Sequence, residues 1–344
     1  MRVLFVGSTR RGFLVLEALV ESGAELVGVI SLRQHGHETE RYERAIADLA
    51  RGKGIPLHET QSMQECDYAG LLREELKPDV AFVVGCRVMI PPEVYEVPPL
   101  GMWAAHDSFL PEYRGFAPLN WSIINGEDHT GLTLFRLSET MDGGDVLVQR
   151  RIPIGPDDTA PEVYERVCHV TVQLVLDAHE RLQRGTARAK SQDVTTGSIC
   201  CSRSPADGLL DWALPTDRIY ALVRALTHPY PGAFTVFQGR RLTVWRARPV
   251  PNSPRYVGRI PGKVVGVFPA EGHVDVLTGD GVLRLIEVQL PGEACRPAPE
   301  VIRSVRVTLG TRPQDLMERI EALESRVAQL EAAQAEGGPD LPQS

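Results

Sequence analysis

No apolar run in this chain is long enough to cross a bilayer: the longest, "ELVGVISL" and "DVAFVVGC", have strand length. The opening residues, "MRVLFVGS", lack the apolar segment and small-residue cleavage site of a secretory signal. The six cysteines, at 66, 86, 168, 200, 201 and 295, show no paired spacing. Reduced thiols in a cytoplasmic protein are the expectation. Adjacent Cys200 and Cys201 would face opposite sides of a strand, and the spacings that mark a metal site are missing, so no metal is expected. Basic excess is absent as well. The 37 Lys and Arg stand against 45 Asp and Glu, a net charge of -8, which disfavours a nucleic acid held by phosphate neutralisation. The three-glycine spacing of a dinucleotide fingerprint is also missing from the first strand-turn, "GSTRRG". A plain turn into a helix is expected there.

What is present is 344 residues, more than one core usually holds. Short apolar strands ("RVLFVGS", "AELVGVISL", "IPLHE", "DVAFVVGC") alternate with amphipathic stretches ("RGFLVLEALVESG", "ETERYERAIADLARGKG", "YAGLLREELKP"). This alternation predicts an α/β fold: a Rossmann-like, doubly wound parallel sheet over residues 1–203. Strand-only passages, "TGLTLFRLS" and "DVLVQRRIPI", extend it before a long helix near 160–184. Over residues 204–310, short strands and Gly-rich turns predict a small, OB-like β-barrel as C-terminal domain. A terminal amphipathic helix (311–334) carries Leu316, Ile320, Leu323, Val327 and Leu330 at coiled-coil spacing. It would either form a homodimer through 316–330 or cap its own subunit. Residues 335–344 read as a disordered tail.

One stretch concentrates chemistry, "GMWAAHDSFLPEYRGFAPLNW", with His106, Asp107 and Ser108 side by side. In extended backbone His106 and Ser108 share a face and Asp107 points away, so three consecutive residues cannot form a nucleophilic triad. A carboxylate from the Gly-rich loop "MDGGD" could instead reach the imidazole at the carboxyl edge of the sheet. Asp142 is the choice there, since Asp145 sits nearer the next strand. The same geometry also suits an ordinary histidine hydrogen-bonded near a strand end.

The passage "HDSFLPEYRGFAPLNWSIINGEDHTGLTLFRLSETMDGGDVL" resembles the signature of formyltetrahydrofolate-dependent formyltransferases. Further similar segments are "VLFVGSTRRGFLVLEALVESG", "LKPDVAFVVGCRVMIPPEV" and "LVRALTHPYPGAFTVFQGRRLTVWRA", so roughly residues 1 to 310 are covered. The methionyl-tRNA and nucleotide-sugar branches are the most similar, the 4-amino-4-deoxy-arabinose type above all. The resemblance implies N10-formyltetrahydrofolate as co-substrate and His106 with Asp142 as catalytic residues. It implies a pterin site at Val88, Met89, Ile90 and the loop Ser138, Glu139, Thr140, Met141 and Asp142.

Two positions depart from the family pattern. Ala104 stands where an asparagine donates to the formyl oxygen, and losing one such donor typically costs about a hundred- to a thousandfold in turnover. Asp107, Ser108 and backbone N–H groups lie near enough in sequence to supply a substitute. Phe116 stands where the arabinose-type enzymes carry a folate-contacting arginine. The favoured acceptor is the amine of an amino-sugar nucleotide, with Arg114 and Arg87 as phosphate-binding cations. "HPYPG" and "RR" in the second domain read as a turn and a hairpin edge that could also bind substrate. Because of Ala104, two other readings stay open: an altered enzyme (formyl-folate hydrolysis or another acyl transfer) and a non-catalytic binding protein.

Overall fold

Strand β1 (Arg2–Gly7) is buried from Val3 onward, and β4 (Val80–Val84) is buried throughout. Two such strands belong in the middle of a sheet covered on both faces, and the computed structural model, which describes residues 1–33, 41–311 and 313–336, places them side by side. The other strands of this part are β2 (Glu25–Leu32), β3 (Leu57–Thr60), β5 (Met102–His106), β6 (Arg114–Gly115), β7 (His129–Arg136), β8 (Val146–Pro153) and β9 (Ile199–Cys200). Seven of them form one sheet in the order β3-β2-β1-β4-β5-β7-β8. Pairings from β3 to β5 are parallel; those of β5 with β7 and β7 with β8 are antiparallel. The expected doubly wound sheet is therefore present, with the two strand-only passages added at one edge.

Helices α1 (Arg10–Glu21), α2 (Tyr42–Gly52), α3 (Tyr68–Gly70, continued as a π-helix over Leu71–Leu76), α4 (Pro92–Tyr95), α5 (Pro118–Asn125) and α6 (Ala160–Gln183) belong to this part. The expected lead-in of α2, residues 38–40, lies outside the described residues. Thr9 caps α1 by accepting from Gly12 N, and Thr159 with Glu162 forms a capping box on α6. One face of the sheet packs Phe5, Phe82, Val84 and Trp103 against Leu16, Leu19 and Val175. The other packs Leu4, Val6, Ala81 and Met102 against Leu72, Leu76 and Tyr95. The strand order reverses between β1 and β4, which is where open α/β sheets form ligand crevices.

The rest of the chain holds α7 (Thr216–Leu226), β10 (Ala233–Phe237), β11 (Arg240–Pro249), β12 (Val264–Phe268), β13 (His273–Leu277), β14 (Val282–Gln289), β15 (Arg296–Pro297), α8 (Ala298–Val301) and α9 (Pro313–Glu336). Its strands pair in the order β10-β11-β14-β13-β12, with β15 on β14, as a separate antiparallel sheet. A single break at 203/204 does not describe the compact units. Met1–Gly208 and Tyr220–Ala233 form one; Leu209–Ile219 and Phe234–Ser344 form the other. The tail expected from 335 falls outside the described residues from 337 onward. No helix among the described residues is long and apolar enough to cross a membrane.

Candidate active site

The ends of β1, β4 and β5 open onto a cavity of about 700 Å³, a size suited to a small-molecule ligand. β1 leads to Thr9 and Arg11, β4 to the segment Gly85–Ile90, and β5 ends at His106. Gly85 lies at φ +71, and a Cβ there would come within 2.1 Å of Thr9 Oγ, so only glycine lets these two strand ends approach.

His106 is held from both sides. Its Nε2 lies 2.9 Å from the carbonyl oxygen of Tyr113, and its Nδ1 lies 3.7 Å from Oδ2 of Asp142. A carbonyl only accepts, so Nε2 carries the hydrogen and Nδ1 of the neutral ring presents a lone pair to Asp142. Phe135 meets the imidazole edge-on at 6.4 Å between centroids. Burial pushes the imidazole below its usual pKa; Asp142 and the Tyr113 carbonyl pull upward without cancelling it, and Arg11 adds to the depression.

The sequence-distant partners meet because one strap holds both their loops. Tyr113 N donates to Ser198 Oγ (2.8 Å), and Tyr113 adopts φ 56, unusual for a bulky side chain. Its hydroxyl donates to Glu127 at 2.6 Å. The two-residue strands β6 and β9 pair in parallel. Further back along the same strap, Gln192 Nε2 donates to the carbonyls of Asp142 (2.9 Å) and Gly144 (2.6 Å). Asp142, at φ 53, accepts from Gly115 N at 2.8 Å. A Cβ on Gly144 would meet Arg136 O at 1.8 Å, which makes glycine necessary in this loop.

Most of the expected site residues line the cavity: Arg87, Val88, Met89, Ile90, Ala104, His106, Phe116, Ser138, Thr140, Met141 and Asp142. Glu139 and Arg114 are not among its lining residues. Arg114 is buried instead, its guanidinium donating to Val194 O at 2.9 Å, so it anchors the strap rather than facing a ligand. Ser108 is buried and donates to Glu112 O at 2.6 Å, away from His106. Asp107 is ion-paired with Arg11, which rules out its service as a hydrogen-bond donor. No substitute for the missing asparagine comes from those two side chains.

The comparisons with known proteins match this architecture. Formyl transferase models cover residues 1–178, with the corresponding C-terminal domain over 203–306. A methionyl-tRNA formyltransferase of Symbiobacterium thermophilum is 33% identical over 314 residues, 91% of this chain and 95% of the relative. This chain belongs to the formyl transferase family. Among solved structures, an N-formyltransferase from Helicobacter canadensis, in complex with folinic acid and dTDP-3-aminofucose, shares the fold at TM-score 0.63 and 14% identity, over 84% of this chain and 98% of that one. HypX from Aquifex aeolicus, in complex with tetrahydrofolic acid, gives TM-score 0.58 at 21% identity. That match covers 89% of this formyl transferase but only 47% of HypX.

Several lining residues of the formyl transferase cavity were not singled out by sequence. Arg11 sits in the turn read as a plain entry to α1, and Asn120 belongs to α5. Tyr164 projects from α6, and burial raises its hydroxyl to about 12. Arg203 lies 4.7 Å over the Trp121 ring. Tyr230, pushed up by burial, also lines the cavity; it comes from "HPYPG", the turn that the sequence offered as a possible substrate contact. Among the described residues, no group of three His, Cys, Asp or Glu is placed to hold a metal.

Proposed function

We propose that this chain transfers a formyl group from N10-formyltetrahydrofolate to the amine of an amino-sugar nucleotide. The observation that carries the reading is the His106–Asp142 pair beside a cavity large enough for the reacting ends of two substrates. The apolar side chains of Met89 (80% exposed), Phe116 (55%) and Met141 (44%) stand uncovered at this cavity, as a flat heteroaromatic ring would need. Backbone groups of 88–90 and 138–142 would hold the polar edge of that ring. Arg87 and Arg203 supply positive charge for phosphates.

The co-substrate supplies an activated formyl carbon; the chain supplies proton handling. Attack needs a neutral amine that sheds a proton as the new C–N bond forms. His106 Nδ1, with its lone pair, accepts that proton, and the imidazolium so formed faces the Asp142 carboxylate. The proton then passes to N10 of the folate as the C–N10 bond breaks, which releases tetrahydrofolate and returns the imidazole to its neutral form. Nε2–H stays on Tyr113 throughout, which keeps the ring from turning. Ala104 contributes a methyl group where the family asparagine would donate, so transfer is expected to be slow.

The relationship to a methionyl-tRNA formyltransferase at 33% identity favours a second reading, in which the amine is that of an aminoacyl-tRNA. The net charge of -8 weighs against it. The test is a product assay with labelled N10-formyltetrahydrofolate, amino-sugar nucleotides and methionyl-tRNA in parallel. Formylated sugar nucleotide is the expected product. Formyl-methionyl-tRNA alone would establish the second reading, and free formate without any amide would mean hydrolysis.

A further inference from the structure

Along helix α9 every residue from 320 to 332 is exposed. Its apolar seam is Leu316 (50% exposed), Ile320 (54%), Leu323 (57%), Val327 (52%) and Leu330 (53%). The choice left by the sequence, own-subunit cap or self-association, is thereby narrowed, because a cap would bury the seam. In proteins most helical stability comes from packing an amphipathic face, so an uncovered seam of this kind calls for a partner.

The residue types say what covers it. With Leu316, Leu323 and Leu330 at d, the a positions are Ile320 and Val327. β-Branched residues at a with leucine at d favour two parallel strands. The flanks agree. The sequence places arginine at both g positions, 319 and 326, and glutamate at the e positions 324 and 331. In a parallel pair, g of one helix faces the following e of the other, so Arg326 meets Glu331 of the partner subunit, twice by symmetry. An antiparallel pair would set arginine against arginine and glutamate against glutamate. We propose that α9 is the dimerisation element of this protein, pairing with α9 of a second copy as a parallel, two-stranded coiled coil.

This rests on the helix alone and is independent of the reaction assigned above. The seam spans only five core positions, so association is expected in the micromolar range and follows concentration.

Sedimentation equilibrium of the full chain should give twice the chain mass at high concentration and one chain mass on dilution. Val327→Asp should leave a monomer whose thermal unfolding and formyl transfer match the parent, because the position is exposed. Arg326→Glu should weaken the dimer about fivefold, and Arg326→Glu with Glu331→Arg should restore it. Oxidised Leu330→Cys should cross-link 330 to 330, as only a parallel pair allows. A chain that stays monomeric at all concentrations, or a dimer indifferent to Val327→Asp, would overturn the proposal. A dimer that forms no 330–330 link would refute its parallel form.

Discussion

The carbonyl oxygen of Tyr113 stands 2.9 Å from Nε2 of His106, and this contact leaves Nδ1 as the nitrogen available for the proposed chemistry. With Nε2 committed as a donor, only Nδ1 is free to take a proton, and Asp142 waits 3.7 Å from it. Tyr113 itself is held by Ser198, from a segment 85 residues away. A left-handed tyrosine and a remote serine thus set the tautomer of the central histidine.

Asp142→Asn tests the pairing. Asparagine tolerates the left-handed backbone and keeps an acceptor for Gly115 N. What it loses is the charge that stabilises the imidazolium. Turnover should fall by about 10²–10³-fold. Asp142 raises the His106 pKa, so its removal should move the acid limb of the kcat–pH profile to lower pH. A limb that stays in place would show that the carboxylate does not face the proton acceptor.

The same histidine makes stability depend on pH. Its folded pKa lies below the ordinary value of 6.5 because burial penalises the cation. Between the folded pKa and 6.5 the unfolded chain therefore binds more protons, and stability rises with pH. The contribution is complete above the unfolded value and is lost as pH drops toward the folded one. His179 shifts in the same direction for the same reason. Urea midpoints from neutral pH downward should fall for the parent and fall less for His106→Gln. Equal slopes would mean that His106 is not buried as a neutral ring.

How much of this site could be read from the chain depends on distance along it. His106 and Asp142 were legible because each belongs to a local pattern: a residue at the end of an apolar strand and an aspartate in a Gly-rich loop. Arg114 looked equally like a ligand cation, yet a strand pairing with residues 199–200 turns it onto Val194 O. No local periodicity encodes that pairing. Tyr230 was legible as part of a turn that could also bind substrate, but its place in the cavity follows from residues 220–233 belonging to the first compact unit, which no local pattern encodes. The parallel sheet was readable from buried strands alternating with helices. The division into compact units was not, because the chain crosses between them more than once.

Arg11 and Asp107 form a buried ion pair, with side chains 9% and 19% exposed. Arg11→Met alone leaves Asp107 uncompensated and should cost about 3–5 kcal/mol. Arg11→Met combined with Asp107→Leu should recover much of that loss. Urea denaturation of the single and double variants measures the coupling; additive losses would show that the two charges do not depend on each other.

Ala104, on β5 between β4 and β7, lines the cavity. Ala104→Asn adds an amide donor at the position where the family places one, and transfer should rise by up to about a hundredfold. Steady-state kinetics with the best acceptor checks this. An unchanged or lower rate would mean that the alanine belongs to a site that stabilises developing charge by another group.

The most direct measurement is single-turnover transfer of labelled formyl from N10-formyltetrahydrofolate by the parent chain and by His106→Ala. Removing the imidazole should slow the chemical step by about 10²–10⁴-fold while circular dichroism stays the same. A variant that transfers at the parental rate would place the chemistry elsewhere and contradict the role of Nδ1.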